Sequence, residues 1–231
     1  MEQIINEAEN LKKPLLTRVI HKIINLKPIK TFFTENRFMV RLFFDCIYNV
    51  PDHYQVKSEY ELKKFDKTFE LLDAILKERK FQWGNEIGCG TGVNTWRIAQ
   101  RCREVLAFDI SSNAIQRARK ENPVDNVRYD VFDVVTQRIP GLYDYLFCAE
   151  TLYYLTPKQL PDAIDNLVSS VGKGGIIHLM HSRSLKDDVS GMDCKEFAAK
   201  TIHDKFVARE DLKSLLDYQE KMYRVTVLEK K

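Results

Sequence analysis

Apolar positions recur at three- and four-residue intervals through the first third of the chain: Leu15, Leu16, Val19, Ile20, Ile23 and Ile24, then Leu62, Phe65, Phe69, Leu72 and Ile75. That spacing lines one face of an α-helix, so both stretches are predicted helical, with breaks at Lys27-Pro28 and Val50-Pro51-Asp52. Near residue 80 the rhythm changes. Short β-type runs at 81–87, 104–108, 126–132, 143–149 and 175–181 alternate with helical segments, which is the pattern of a parallel sheet with crossover helices. The stretch MYRVTVLEK at 222–230 is strand-like and is predicted to add an antiparallel pair at one edge. The reading divides the chain into a basic helical extension, 1–50, and one α/β domain, 51–231.

Between the first predicted strand and a helix starting near Asn94 lies NEIGCGTG, residues 85–92. Open α/β sheets bind their ligands at the carboxyl ends of strands. Glycines there let the backbone approach a ligand closely. Gly88, Gly90 and Gly92 fill the first, third and fifth positions and Val93 the sixth, so the dinucleotide fingerprint is not met. No Gly-Lys-Ser/Thr follows, which excludes a P-loop. Glu86 stands just ahead of the loop and suits a cationic ligand better than a pyrophosphate, which points to a sulfonium.

Two further acids end the next two predicted strands. Asp109 lies about 20 residues beyond the glycines, where an acid binds ribose hydroxyls in this architecture. Asp133 is placed to meet an adenine amino group, with Val134 as an apolar neighbour for the ring. Capping of the following helix explains any one such acid. Three in register with the glycine loop favour an adenosine ligand.

EIGCGTG, the strand ends at Asp109 and Asp133, and LFCAETLYYL together resemble the class I S-adenosylmethionine-dependent methyltransferases. HYQVKSEYELKKFDKTFELLDAIL, EIGCGTGVNTWRIAQRC and CAETLYYL are closer still to the NodS-like methyltransferases. The resemblance implies a single Rossmann-like α/β sheet of seven strands, the last antiparallel, with helices on both faces and an N-terminal helical segment folded over the cofactor. It implies S-adenosylmethionine as methyl donor. Gly88, Cys89, Gly90 and Glu86 would then hold the methionine end, Asp109 and Ile110 the ribose and one side of adenine, and Asp133 and Val134 the adenine. Tyr60 and Lys64 match positions that touch the cofactor's polar end, Lys64 as a partner for its carboxylate or else as part of a solvated helix face. Where the family often has Asp-Pro-Trp, this chain has Pro51-Asp52-His53, with His53 or Tyr54 as aromatic replacements.

Methyl transfer is an in-line displacement, so alignment supplies most of the acceleration and a dedicated base is optional. Glu150, Tyr153 and Tyr154, ending the fourth predicted strand, are placed to stabilise positive charge growing on an amine, Glu150 also touching the cofactor; the plain alternative is structural. His178 and His181 fall on opposite faces of the fifth strand, so a shared metal is not expected. Of the two, His181 lies nearer the acceptor pocket and is the candidate base or hydrogen-bond partner. The chain lacks the Asn/Asp-Pro-Pro-Tyr/Phe element of base N-methylation, the Pro-Cys nucleophile and a second glutamate between Glu150 and Pro161. It also lacks the acid–amide pair of metal-dependent O-methylation at the end of the fifth strand, where it reads Met180-His181-Ser182; Asp165-Asn166 falls in a predicted helix. What remains is a metal-free enzyme acting on nitrogen or oxygen of a small molecule such as an amino sugar or a secondary metabolite.

The net charge of +3 shows no concentrated stripe, and nucleic acid is not an expected partner. Five irregularly spaced cysteines without a CxxC pair fit a reducing, cytoplasmic setting. Between Lys12 and Arg41 stand eight Lys or Arg against the single acid Glu35, interleaved with apolar residues. This stretch is compatible with peripheral contact to an anionic membrane, and hence with a lipid or polysaccharide-precursor acceptor, with a dimer contact, or with a cover over the site. A non-catalytic protein retaining the cofactor fold is the reading from a different class.

Overall fold

The computed structural model describes residues 35–77, 79–183 and 198–231. The helical pattern between Leu15 and Ile24, the basic segment as far as residue 34, and Cys194 lie outside them. In chain order the elements are α1 (Arg37–Tyr48), α2 (Glu59–Leu76), β1 (Phe81–Ile87), α3 (Thr95–Ala99), β2 (Cys102–Asp109), α4 (Ser112–Glu121), β3 (Val127–Val131), β4 (Tyr143–Ala149), a 3-10 turn at Leu152–Tyr154, α5 (Gln159–Ser169), β5 (Val171–Ser182), α6 (Ala199–Val207), β6 (Leu212–Gln219) and β7 (Tyr223–Lys230).

The strands form one seven-stranded sheet in the order β3-β2-β1-β4-β5-β7-β6. The pairs among β1 to β5 are parallel, and β7 runs antiparallel to both its neighbours. Parallel strands covered on both faces read as continuous apolar runs. Accordingly Tyr145, Leu146, Phe147 and Cys148 of β4 and Ile176, Ile177, Leu179 and Met180 of β5 are all fully buried. One core layer packs α5 and α6 against the sheet through residues such as Leu160, Leu167, Ile202 and Phe206. The other packs α2 and α3 through Phe65, Phe69, Leu72 and Ile98. The antiparallel pair expected at one edge is formed by β7, which lies against β5, and β6, which forms the edge itself.

Helix α2 begins where Ser58 accepts the amide of Glu61 and ends at Lys77 in a left-handed cap. Its buried stripe of Lys64, Phe65, Thr68, Phe69 and Leu72 follows the predicted period and places a lysine among apolar neighbours. The reversal of strand order between β1 and β4 opens a crevice at the carboxyl ends of the strands, the position where such sheets take ligands.

Candidate active site

The loop after β1 is strapped to β2. The amides of Gly88 and Cys89 both donate to the Phe108 carbonyl at 2.8 Å, and that of Gly90 donates to Asp109 Oδ2 at 2.9 Å. Gly88 and Gly90 have φ of +76° and +55°. A Cβ at Gly88 would stand 1.9 Å from Thr151 Oγ1, and one at Gly90 2.9 Å from the Tyr48 hydroxyl. The loop is therefore a close-packed backbone cradle, seated on Thr151 and Tyr48, with no room for a side chain at either glycine. Cys89 is buried beside it, and burial pushes its thiol well above the ordinary range.

Glu86 and Asp109 flank this cradle, 4% and 7% exposed, and among the described residues neither has a cationic partner within salt-bridge distance. Thr95 Oγ1 donates to Glu86 Oε2 at 2.5 Å. Asp109 accepts the amides of Gly90 on Oδ2 and of Ser111 on Oδ1, each at 2.9 Å. Burial raises Glu86 to about 7 despite the Thr95 bond, with the neighbouring Asp109 adding to the effect. Burial likewise raises Asp109 to about 6 against its two amide donors, Asp45 adding to the rise. Ile110 follows Asp109, half-buried.

The third acid has a partner that the sequence did not suggest. Arg37 of α1 grips Asp133 through Nε to Oδ2 and Nη2 to Oδ1, both 2.8 Å, while the Val135 amide caps Oδ1 at 3.0 Å. Val134 is buried in the layer that includes Phe108 and Ile139.

Across the crevice, Glu150 sits in a left-handed conformation, φ 49°, just after β4. A non-glycine residue there is strained, and such strain persists where the surroundings over-determine it. Here they do: Glu150 Oε1 accepts from Lys64 Nζ at 2.9 Å and Ser182 Oγ at 2.6 Å, and Oε2 from the Tyr153 hydroxyl at 2.5 Å and the Ser182 amide at 3.1 Å. Burial would raise Glu150, but Lys64, Ser182 and Tyr153 together hold it down at about 2. Lys64 is 4% exposed, so it is no solvated helix face; it is shared between Glu150 and Glu61 Oε2, the latter at 2.7 Å. Burial alone would lower Lys64; the two carboxylates outweigh it and raise the ammonium. Tyr60 is half exposed, its ring 5.8 Å from Lys64 Nζ. Tyr153 is buried, whereas Tyr154 packs edge-on against Phe44 of α1, ring centres 5.1 Å apart.

His181 occupies a different place from the one expected. It is fully buried, its Nε2 accepting the Leu152 amide at 3.3 Å and its Nδ1 facing His203 Nε2 at 3.1 Å. With both ring nitrogens engaged inside the fold, it is a core histidine rather than a base facing the acceptor pocket. His178, on the opposite face, is also core: Tyr145 OH bonds its Nδ1 at 2.8 Å, and burial lowers it to about 3. Among the described residues, no group of three or more His, Cys, Asp or Glu is arranged to hold a metal, and no helix is long and apolar enough to cross a membrane.

Helix α1 closes over these parts and carries residues that sequence reasoning missed. Besides Arg37, it places the Tyr48 hydroxyl on Gly90 and the Tyr48 ring 5.9 Å from that of Tyr54. Asp45 accepts from Ser111 Oγ at 2.7 Å, Ser112 Oγ at 3.1 Å and the Asn113 amide at 3.1 Å, setting an anion on the N-terminus of α4. The available signal was the aromatic run RLFFDCIYNVPDHY, whose Asp45 and Tyr48 share a helix reaching back to the crevice, with Tyr54 in the turn that follows. Asp45→Ala is expected to cost about 1 kcal/mol, the usual worth of such a cap. Hydrogen exchange should show the α1 amides opening more readily, with α5 and α6 unchanged.

Residues 85–175 match the family described as "Methyltransferase domain". Nodulation protein S of Rhizobium tropici is 32% identical over 92 residues, 39% of either chain. Nodulation protein S of Azorhizobium caulinodans is 28% identical over 126 residues, 54% of this chain and 59% of that one. The chain thus matches less than two thirds of the length of either curated relative. Among solved structures, the N-methyltransferase NodS from Bradyrhizobium japonicum WM9 in complex with S-adenosyl-L-homocysteine has a TM-score of 0.68 at 21% identity, covering 82% of this chain and 97% of that one. The chain thus carries a segment similar to the methyltransferase domain, within a fold like that of an S-adenosylmethionine-dependent methyltransferase. Among these relatives, it is to the Nodulation protein S sequences and the NodS structure that the chain is similar here.

Proposed function

We propose that the protein transfers the methyl group of S-adenosylmethionine to a nitrogen of a small-molecule acceptor such as an amino sugar or an amine-bearing secondary metabolite. The observation carrying this reading is the pair of buried carboxylates, Glu86 and Asp109, at a backbone cradle with no cation among the described residues to neutralise them. A ligand bearing an ammonium and two vicinal hydroxyls meets both needs, Glu86 taking the ammonium and Asp109 the hydroxyls. The bound cofactor supplies a methyl group already activated by its sulfonium.

Nitrogen is favoured by the charge on the acceptor side. Glu61 and Glu150 share the one ammonium of Lys64, so that cluster stays net negative. A negative surround favours positive charge growing on an amine over an acceptor that arrives as an anion. Tyr153, by holding Glu150, and Tyr154, by lining the wall with Phe44, position that surround. No residue needs to act as base if the amine arrives unprotonated. Titration calorimetry with S-adenosylhomocysteine, followed by a mass-shift assay on amine- and hydroxyl-bearing acceptors, tests the reading. Binding and N-methylated products are expected; absence of binding sinks the cofactor assignment, and exclusively O-methylated products sink the choice of nitrogen.

A further inference from the structure

The guanidinium of Arg37 is only partly used. Nε and Nη2 hold Asp133, but Nη1 is buried and has no hydrogen-bond partner among the described residues. Native folds leave few buried donors unpaired, and each asks for an explanation. Asp133 shows a matching vacancy. Its Oδ1 takes two donors, Arg37 Nη2 and the Val135 amide, whereas Oδ2 takes Arg37 Nε alone and keeps a lone pair. Both side chains are largely enclosed, 16% and 13% exposed. They stand at the crevice, since Phe132, preceding Asp133, donates its amide to the Asp109 carbonyl at 2.9 Å.

The geometry points to Arg37 as a cofactor-binding residue: it donates through Nη1 to adenine N1, with Asp133 as the companion acceptor for the adenine amine. The inference rests on the proposed function, which puts an adenosine compound in this crevice. The spare atoms of the pair are one donor and one acceptor. Adenine's amino edge presents the complement, an N–H donor beside a ring-nitrogen acceptor. Hypoxanthine replaces that amine with a carbonyl oxygen, which would face a carboxylate, and carries a proton on N1, which would face the Arg37 donor. A site built to bond a donor discriminates strongly against an analogue lacking it. Arg37 would then read the base from the covering helix, while the sheet reads the ribose.

The test compares S-adenosylhomocysteine with S-inosylhomocysteine by titration calorimetry on the full chain, in wild type, Arg37→Met and Arg37→Lys. Methionine keeps an apolar stem, and lysine keeps a charge for Asp133 without the planar fork. Wild type is expected to prefer the adenosyl ligand by roughly tenfold or more. Both variants should lose roughly tenfold on the adenosyl ligand and little on the inosyl one, so that the preference collapses. Equal affinity of wild type for the two ligands, or an equal loss of both in the variants, would make Arg37 only a clamp for α1 and overturn the inference alone. Failure of wild type to bind S-adenosylhomocysteine would overturn the crevice reading, and this inference with it.

Discussion

Gly88→Ala is expected to remove about 2–5 kcal/mol of folding stability, from two separable causes. Holding a non-glycine residue in left-handed backbone costs about 1–2 kcal/mol, and Gly88 has φ +76°. Forcing extra volume into a packed site costs a further 1–3 kcal/mol or so. The new methyl would stand 1.9 Å from Thr151 Oγ1 and 2.8 Å from Thr151 Cβ, so no rotation of the threonine relieves it. Thr151 is also pinned, donating to the Ala149 carbonyl at 2.7 Å. It follows Glu150, so displacing it disturbs the left-handed turn that aims Glu150 at Lys64. One methyl group therefore damages both the cofactor cradle and the acceptor wall. Denaturant melts of Gly88→Ala, Thr151→Gly and the double variant separate the causes. The double variant should recover the packing part, a coupling of about 1–3 kcal/mol, and keep the backbone part. A Gly88→Ala protein as stable as wild type would mean that the cradle tolerates a side chain and that its close approach is not real.

The fourth strand was legible because burial on both faces makes YDYLFCA largely apolar, and the first, FQWGNEI, because it leads directly into the glycine loop despite its two exposed residues. The first and fourth strands were expected at 81–87 and 143–149, and they are observed as Phe81–Ile87 and Tyr143–Ala149. The edge strand β6 was not legible for a definite reason. Its leucines fall at 212, 215 and 216, a helical spacing, because a register shift between Ser214 and Leu216 breaks the two-residue alternation. The antiparallel pair at that edge was expected from the tail strand, but the residues of its other member were not identified. Among site residues, what the sequence makes visible is position at a strand end, as for Glu86 and Asp109. Partners that come from another element stay hidden. Lys64 looks like one more charge on a polar helix until α2 is packed, and then it lies beside Glu150. Asp133 looks unoccupied until α1 brings Arg37 to it. His181 shows the limit from the other side: the strand face was legible, but α6, which brings His203 to meet that face, was not.

Glu86 and Asp109 should make the stability of the ligand-free protein fall as pH rises from about 4 to about 7, opposite to the trend set by carboxylates in ion pairs. Both groups are acids raised by burial, to about 7 and about 6, from ordinary values of 4.5 and 3.8. Between the ordinary and the folded values, the folded chain binds protons that the unfolded chain has lost, so stability declines across that window and the loss is complete above about 7. Each gap corresponds to about 3 kcal/mol as an order of magnitude. Glu150 acts the other way: lowered to about 2, it contributes stability present above about 4.5 and lost as pH falls through about 2. Opposed slopes put the stability maximum of the free protein on the mildly acidic side. A cofactor whose ammonium meets Glu86 favours the ionised carboxylate, so binding at pH 6 to 7 should expel protons, and affinity should rise over the same interval. Calorimetry of S-adenosylhomocysteine in buffers of different ionisation enthalpy counts those protons, and thermal melts with and without the ligand from pH 5 to 8 follow the stability. The thermal shift from ligand should grow with pH. No proton release near pH 6.5, together with a ligand-induced shift that is flat from pH 5 to 8, would show that the buried carboxylates do not meet a cation when the crevice fills.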